Sequence, residues 1–313
     1  PVVDNTIDLP PEITAHRQSV ELCIDAMQIS GCWMLTCIDK TIRYRVTIPL
    51  LSRSHDEYLH HLTTIVNRYK SAGFKPNFIH TDGEFEPMFS KLQCKFEGVI
   101  LNTANPGNHV PEAERNNWVI EERFHLIFHR LPYKYWPNTM ICSIAMHVTT
   151  LLNVFPAKGG ISSHYSPYQI IDHRNFDYTK DCKFEPGSYV QANNPLQRTN
   201  DNEPRTIDAI YLRPKFTLQP SHIVMDLQTG EPVTKSTLTV SPITQAVINR
   251  VNDLGEHDGF RELHFKNRQG QFFPDADWLP GVDHKPIIVR NYDNDNNDNN
   301  DNNNDDNEDT DDD

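Results

Sequence analysis

The sequence is short of several things. Its 313 residues contain six cysteines (23, 32, 37, 94, 142 and 182) and no Cys-x-x-Cys pair. Most of the six lie in apolar runs, where a free thiol behaves as a small buried hydrophobe, so a reduced, intracellular protein is expected. There is no secretory signal. The longest apolar stretch, Met140 to Phe155, is interrupted by Ser143, His147, Thr149, Thr150 and Asn153, which makes it too short and too polar to span a bilayer, and no membrane is expected as a partner. Positive charge is scarce as well: 29 Lys and Arg stand against 43 Asp and Glu, for a formal charge of −14. Eleven of those negative charges fall between Asp293 and Asp313, among nine Asn and one Thr, leaving the body at only −3. That body lacks the strongly basic footprint of most DNA-binding proteins. The Asn/Asp tail has no apolar residue with which to offset chain entropy, so residues 291–313 are expected to be disordered. The chain begins with Pro1, which suggests a piece of something longer.

What is present is a set of carboxylates in three distinct settings. Asp25 lies inside the apolar run Val20 to Met27; Asp82 ends a second run, Phe78 to Thr81, at the Gly83 break; Glu114 lies near the start of a helical segment opening at Val110. A strand, a strand end and a helix start can converge, and clustered acids repel unless a divalent cation neutralises them. Hard oxygen ligands suit Mg²⁺ or Mn²⁺. Two such ions would activate a nucleophile and stabilise the leaving oxygen at a phosphodiester.

The periodicities give an order of elements. Strands are expected at 20–29, 33–42 and 43–51, joined by short turns that favour antiparallel neighbours. A helix opens at Ser54 with Glu57 three residues on and runs to Gly73; strands at 76–81 and 97–103 and helices at 110–131 and 138–154 follow. Beyond about 183, proline is frequent and helical spacing absent, which predicts a small β-barrel or meander of four or five strands. Asp39 rivals Asp25 but sits beside Lys40, as a turn residue does. Glu112 rivals Glu114, yet about 200° separates the two around a helix, so only one can face a given site. Glu84 is expected to be near the site and not a ligand. Arg43, Tyr44 and Arg45 read as a solvated edge. His125 and His129 stand one turn apart with no third ligand of suitable spacing, and no zinc is predicted.

The words Ile79-His80-Thr81-Asp82-Gly83-Glu84-Phe85 and Pro106-Gly107-Asn108-His109-Val110-Pro111-Glu112-Ala113-Glu114-Arg115-Asn116-Asn117 resemble the catalytic core of integrases of copia-type LTR retrotransposons. Leu131-Pro132-Tyr133-Lys134, Lys158-Gly159-Gly160 and Ser166-Pro167 resemble the segment after that core, and the likeness spans roughly Glu21 to Asp283. It implies an α/β fold: an RNase H-like mixed five-stranded sheet with flanking helices, followed by a small β-barrel-like unit. The expected division is an extended arm (1–18), the catalytic core (19–156), a connecting segment (157–185), the β-unit (186–245), a C-terminal extension (246–290) and the acidic tail. The implied catalytic and metal-binding residues are Asp25, Asp82 and Glu114. Arg115, Asn117 and Arg123 are the candidates for nucleic-acid contact. The implied activity joins 3′ ends of element DNA to target DNA, with double-stranded DNA and further copies of the chain as partners. The nucleus would be the place of integration, although the chain carries no clear nuclear localisation signal.

Three features depart from the pattern. Positions that are usually basic, one and two turns after the catalytic Glu, hold Trp118 and Glu121, the spacing from Asp82 to Glu114 is short, and no amino-terminal His/Cys zinc module appears. An RNase H-like nuclease, and a decayed remnant that binds DNA or assembles with partners, are the alternatives.

Overall fold

A computed structural model describes residues 6–18, 20–96, 98–103, 110–193, 205–216 and 221–260. The motif residues 106–109, the C-terminal extension beyond 260 and the acidic tail lie outside the described residues. The chain divides into two compact units, Pro1–Leu263 and His264–Asp313, and the described residues all belong to the first.

The part read as an extended arm carries a short helix α1 (Pro11–Thr14), a 3-10 turn (Ala15–Gln18) and, at Thr6, a bridge to Arg174. Ile13 anchors it by entering the core. Three antiparallel strands follow: β1 (Val20–Ile29), β2 (Cys32–Asp39) and β3 (Arg45–Leu50). Helix α2 (His55–Ser71) starts at Ser54, whose side chain accepts from the Glu57 amide, as the cap spacing predicted. Strand β4 (Pro76–Thr81) pairs parallel with β1; a 3-10 turn and helix α3 (Phe89–Lys95) then lead to β5 (Ile100–Thr103), parallel to β4. The resulting order, β3-β2-β1-β4-β5, is a mixed five-stranded sheet flanked by helices and resembles the expected RNase H-like core.

Two long helices cover one face of that sheet. Helix α4 (Pro111–Phe128) begins with proline at its first position and carries Glu112 and Glu114 in its first turn, where acidic groups complement the helix dipole. Helix α5 (Asn138–Val154) is apolar on most sides because it is buried between two sheets. Short helices α6 (Pro167–Asp172) and α7 (Tyr178–Asp181) lead to the second sheet.

That second sheet is an open antiparallel one, and here the barrel expectation needs correction. Its strands are β6 (Tyr189–Asn193), β7 (Thr206–Pro214), β8 (His222–Asp226), β9 (Pro232–Lys235) and β10 (Leu238–Val240), in the order β10-β6-β7-β8-β9. The edge strands β9 and β10 do not pair with each other. A barrel turns one face of its sheet inward on itself, whereas this sheet spends both faces differently. Ile210, Leu212 and Met225 join a core with Ile141, Ile144 and Val148, while Ala209, Tyr211 and Val224 form a small core on the other side.

A second correction lies at the C-terminal end. A helix α8 (Gln245–His257), capped by Thr244, follows the sheet where helical spacing was not expected. Its Val247 and Val251 join the same core as Met27 and Met34 of the first sheet and Trp136. One apolar core therefore runs across the expected boundaries at 156 and 186.

Candidate active site

Strand alternation decides what Asp25 faces. Leu22, Ile24 and Ala26 turn to the core beneath α2, whereas Cys23, Asp25, Met27 and Ile29 turn to the α4/α5 side. Asp25 is half-buried and opposite Thr36 in the β1–β2 pairing. Its Oδ1 accepts from the Ala26 amide at 2.7 Å and its Oδ2 from Asn117 Nδ2 at 2.8 Å. Thr36 Oγ1 donates to Asn117 Oδ1 at 2.6 Å, so strand β2 in turn fixes the amide that holds the acid.

The parallel register brings in Asp82. Leu22 lies opposite Ile79 and Cys23 opposite His80, the last paired residues of β1 and β4; Asp25 and Asp82 each follow two residues further along their own chain segment. Asp82 is half-buried and directly follows β4. Glu114 is exposed in the first turn of α4, one turn before Asn117 on the same stripe. Asp25 and Asp82 thus both lie just beyond the paired stretch of β1 and β4, and Glu114 is on the helix whose Asn117 holds Asp25. Their oxygens have the chemistry a hard divalent cation requires. Among the described residues, no three His, Cys, Asp or Glu side chains are grouped so as to hold a metal ion together.

The competing acids have other tasks. Asp39 is fully buried and accepts at Oδ1 from the amides of Thr41, at 2.7 Å, and Ile42, as a turn residue does. Burial pushes it up to about 6 against those amide bonds. Glu112 turns away from the Asp25 side to pair with Arg43 at 2.5 Å, as the helical angle between it and Glu114 requires. Glu84 accepts from Arg53 Nε and from the Tyr58 hydroxyl, each at 3.0 Å.

Neighbouring polar groups escaped the sequence reading. Glu21 lies between His80 Nε2 at 3.1 Å and Lys40 Nζ at 3.2 Å, and the hydrogen bond to His80, then that to Lys40, holds its carboxyl below the ordinary range. His80 stands two residues before Asp82, and Glu21 four before Asp25, so period-two alternation would have put both pairs on one face. Thr36 carried no such signal, because the pairing that sets it opposite Asp25 is a long-range fact.

One reading needs correction. Arg43, Tyr44 and Arg45 are not a solvated edge: Tyr44 is buried, and Arg45 Nε donates to Asn116 Oδ1 at 3.0 Å under the cover of α4. Arg115 and Arg123 do not stand with Asp25; they line a separate cleft, along the stripe of α4 that contains Val119. Of the three nucleic-acid candidates, Asn117 alone touches the Asp25 carboxylate. Trp118 is 57% exposed, and burial raises the Glu121 carboxyl above its ordinary value. His125 is lowered to about 4 by burial and then by the charge of His129, which burial lowers as well.

No protein-family model matches the chain, and no curated protein matches it. Among solved structures, the catalytic core domain of BIV integrase is similar over 48% of this chain and 92% of that one, at 15% identity and a TM-score of 0.36.

Proposed function

We propose that this chain is the catalytic region of a copia-type retrotransposon integrase, a polynucleotidyl transferase that joins 3′ ends of element DNA to target DNA. The observation that supports the reading is the bond from Asn117 of α4 to Asp25, with Glu114 one turn away on that helix and β4, which Asp82 follows, paired parallel with β1. Asp25 and Asp82 would hold Mg²⁺ or Mn²⁺, with Glu114 completing the ligand set. Such ions, when bound, supply the charge neutralisation that lets a 3′-hydroxyl approach a phosphodiester. The chain's own part is to fix the carboxylates: Asn117 and Thr36 restrict Asp25 to one orientation, and the end of β4 fixes the backbone of Asp82. Double-stranded DNA and further copies of the chain are the partners in this reading, and the nucleus is the place of integration.

The test is a strand-transfer assay with a duplex carrying the terminal sequence of the parent element, in Mg²⁺ and in Mn²⁺. Joined products that disappear in Asp25→Asn and Asp82→Asn are expected. Hydrolysis without joining would point to a nuclease. Joining that survives both substitutions would overturn the reading.

A remnant that binds DNA without catalysis is the second reading. It is favoured by the lack, among the described residues, of three grouped metal-binding side chains. A salt series of DNA binding by a chain with no metal-dependent activity would support it, because phosphate contacts give a steep salt slope.

A further inference from the structure

The two neighbouring asparagines of α4 serve different sites. About 100° of helix rotation separates Asn116 from Asn117. Asn117 turns to Asp25, and Asn116 lines a cleft of about 640 Å³ between α4, α5 and the start of β3. None of Asp25, Asp82 and Glu114 lines that cleft.

Its lining is amphipathic in a particular way. Arg43, Arg45, Arg115, Arg123 and Lys158 contribute five cations, whereas the one carboxylate in the wall, Glu112, is paired with Arg43. Asn116 is 1% exposed; its Oδ1 accepts from Arg45, and its Nδ2 has no hydrogen-bond partner among the described residues. Arg43 Nε is likewise buried without a partner. A buried donor left unsatisfied is destabilising, and a ligand oxygen would relieve it. The remaining walls are apolar, with Val119, Leu126, Leu151 and Leu152 among them, and Leu126 and Phe155 leave 55% and 61% of their surface uncovered. Burial, then the charge of Arg43, lowers Arg45 from its ordinary value, the situation of a cation that lacks a counter-charge.

The geometry points to a binding site for a small organic anion, in which one carboxylate, sulfonate or phosphate group meets Asn116 and the arginines while an apolar body covers the leucine and valine wall. Amide and guanidinium donors lining one cleft suit a planar or tetrahedral oxyanion. The volume lies within the roughly 300–1,000 Å³ of small-molecule sites. A nucleic-acid backbone fits less well, since it is polar throughout and would leave the apolar wall wet.

The test uses the full chain and 8-anilinonaphthalene-1-sulfonate, an aryl sulfonate, followed by calorimetry and fluorescence. One saturable site is expected, at least tenfold weaker in Asn116→Asp and in Arg123→Glu, with the uncharged N-phenyl-1-naphthylamine also at least tenfold weaker. Asn116→Asp keeps the oxygen that Arg45 uses and replaces only the unpartnered donor. Should that variant fail to fold by circular dichroism, Arg123→Glu at the exposed rim decides alone. Absence of a saturable site, binding unchanged by the substitutions, or equal binding of the uncharged analogue would overturn the proposal. So would displacement of the probe by a short duplex oligonucleotide at lower concentration than by an aryl carboxylate, which would assign the cleft to nucleic acid.

Discussion

Asn117 grips Asp25 from the helix: Nδ2 donates to Oδ2 at 2.8 Å, and the amide is itself held by the Thr36 hydroxyl at 2.6 Å. A strand, its neighbour and a helix thus share one small polar junction inside an otherwise apolar layer. The acid keeps a single orientation because both of its oxygens are engaged.

Removing that grip gives the first prediction. Asn117→Ala deletes the bond to Asp25 and leaves Thr36 without its acceptor on α4, which should cost about 1–2 kcal/mol in denaturant unfolding. Strand transfer should fall tenfold or more, because Asp25 loses its fixed orientation. Asn117→Asp should fall further, since it sets a second carboxylate against the first.

Asp39 should behave in the opposite way. Its folded value of about 6 lies above the ordinary 3.8, so the folded state takes up a proton first. Stability from this group therefore declines as pH rises from about 4 to 6, by up to about 3 kcal/mol. Asp39→Asn removes the buried charge and keeps an oxygen for the Thr41 and Ile42 amides. Stability at pH 7 should hold or rise, and strand transfer should be unaffected, which separates this acid from Asp25.

His147 titrates in the same window with the other sign. It is 4% exposed, and burial, then the charge of Arg213, lowers it to about 4. The unfolded imidazole takes a proton near its ordinary 6.5. Stability is therefore present above about 6.5 and is lost as pH falls toward 4, by up to about 3 kcal/mol. Denaturant titrations at pH 7.5, 6 and 5 should show a shallower acid loss in His147→Gln and a steeper one in Asp39→Asn.

Gly255 tests how α8 is seated. A Cβ there would meet Tyr135 C and O at 2.6 Å and Trp136 N at 2.8 Å, all backbone atoms that cannot swing aside. Alanine normally stabilises a helix interior by about 1 kcal/mol over glycine. Here Gly255→Ala should instead lower stability by about 1–3 kcal/mol, read as a drop in thermal midpoint.

Local pattern carried much of the first sheet. Alternation fixed which residues of β1 share a face with Asp25, the Ser54–Glu57 spacing set the start of α2, and helical rotation separated Glu112 from Glu114. The misses have a common cause. Helix α8 buries only Val247, Val251 and Gly255, too thin a stripe to stand out in a proline-rich region. Arg43 and Arg45 look solvated until α4 lies over them, and a row of four or five short strands reads alike whether the sheet closes or packs flat on helices.

The sequence by itself determined the strands and long helices of the first sheet, the acid in each setting and the separation of Glu112 from Glu114 around α4, because periodicity is written into covalent spacing. The tertiary structure decided that β4 pairs parallel with β1, that Asn117 clasps Asp25, and that Arg115 and Arg123 open into another cleft. These depend on parallel register and helix rotation, which arise from packing between segments about 60 to 90 residues apart and leave no trace in either segment alone.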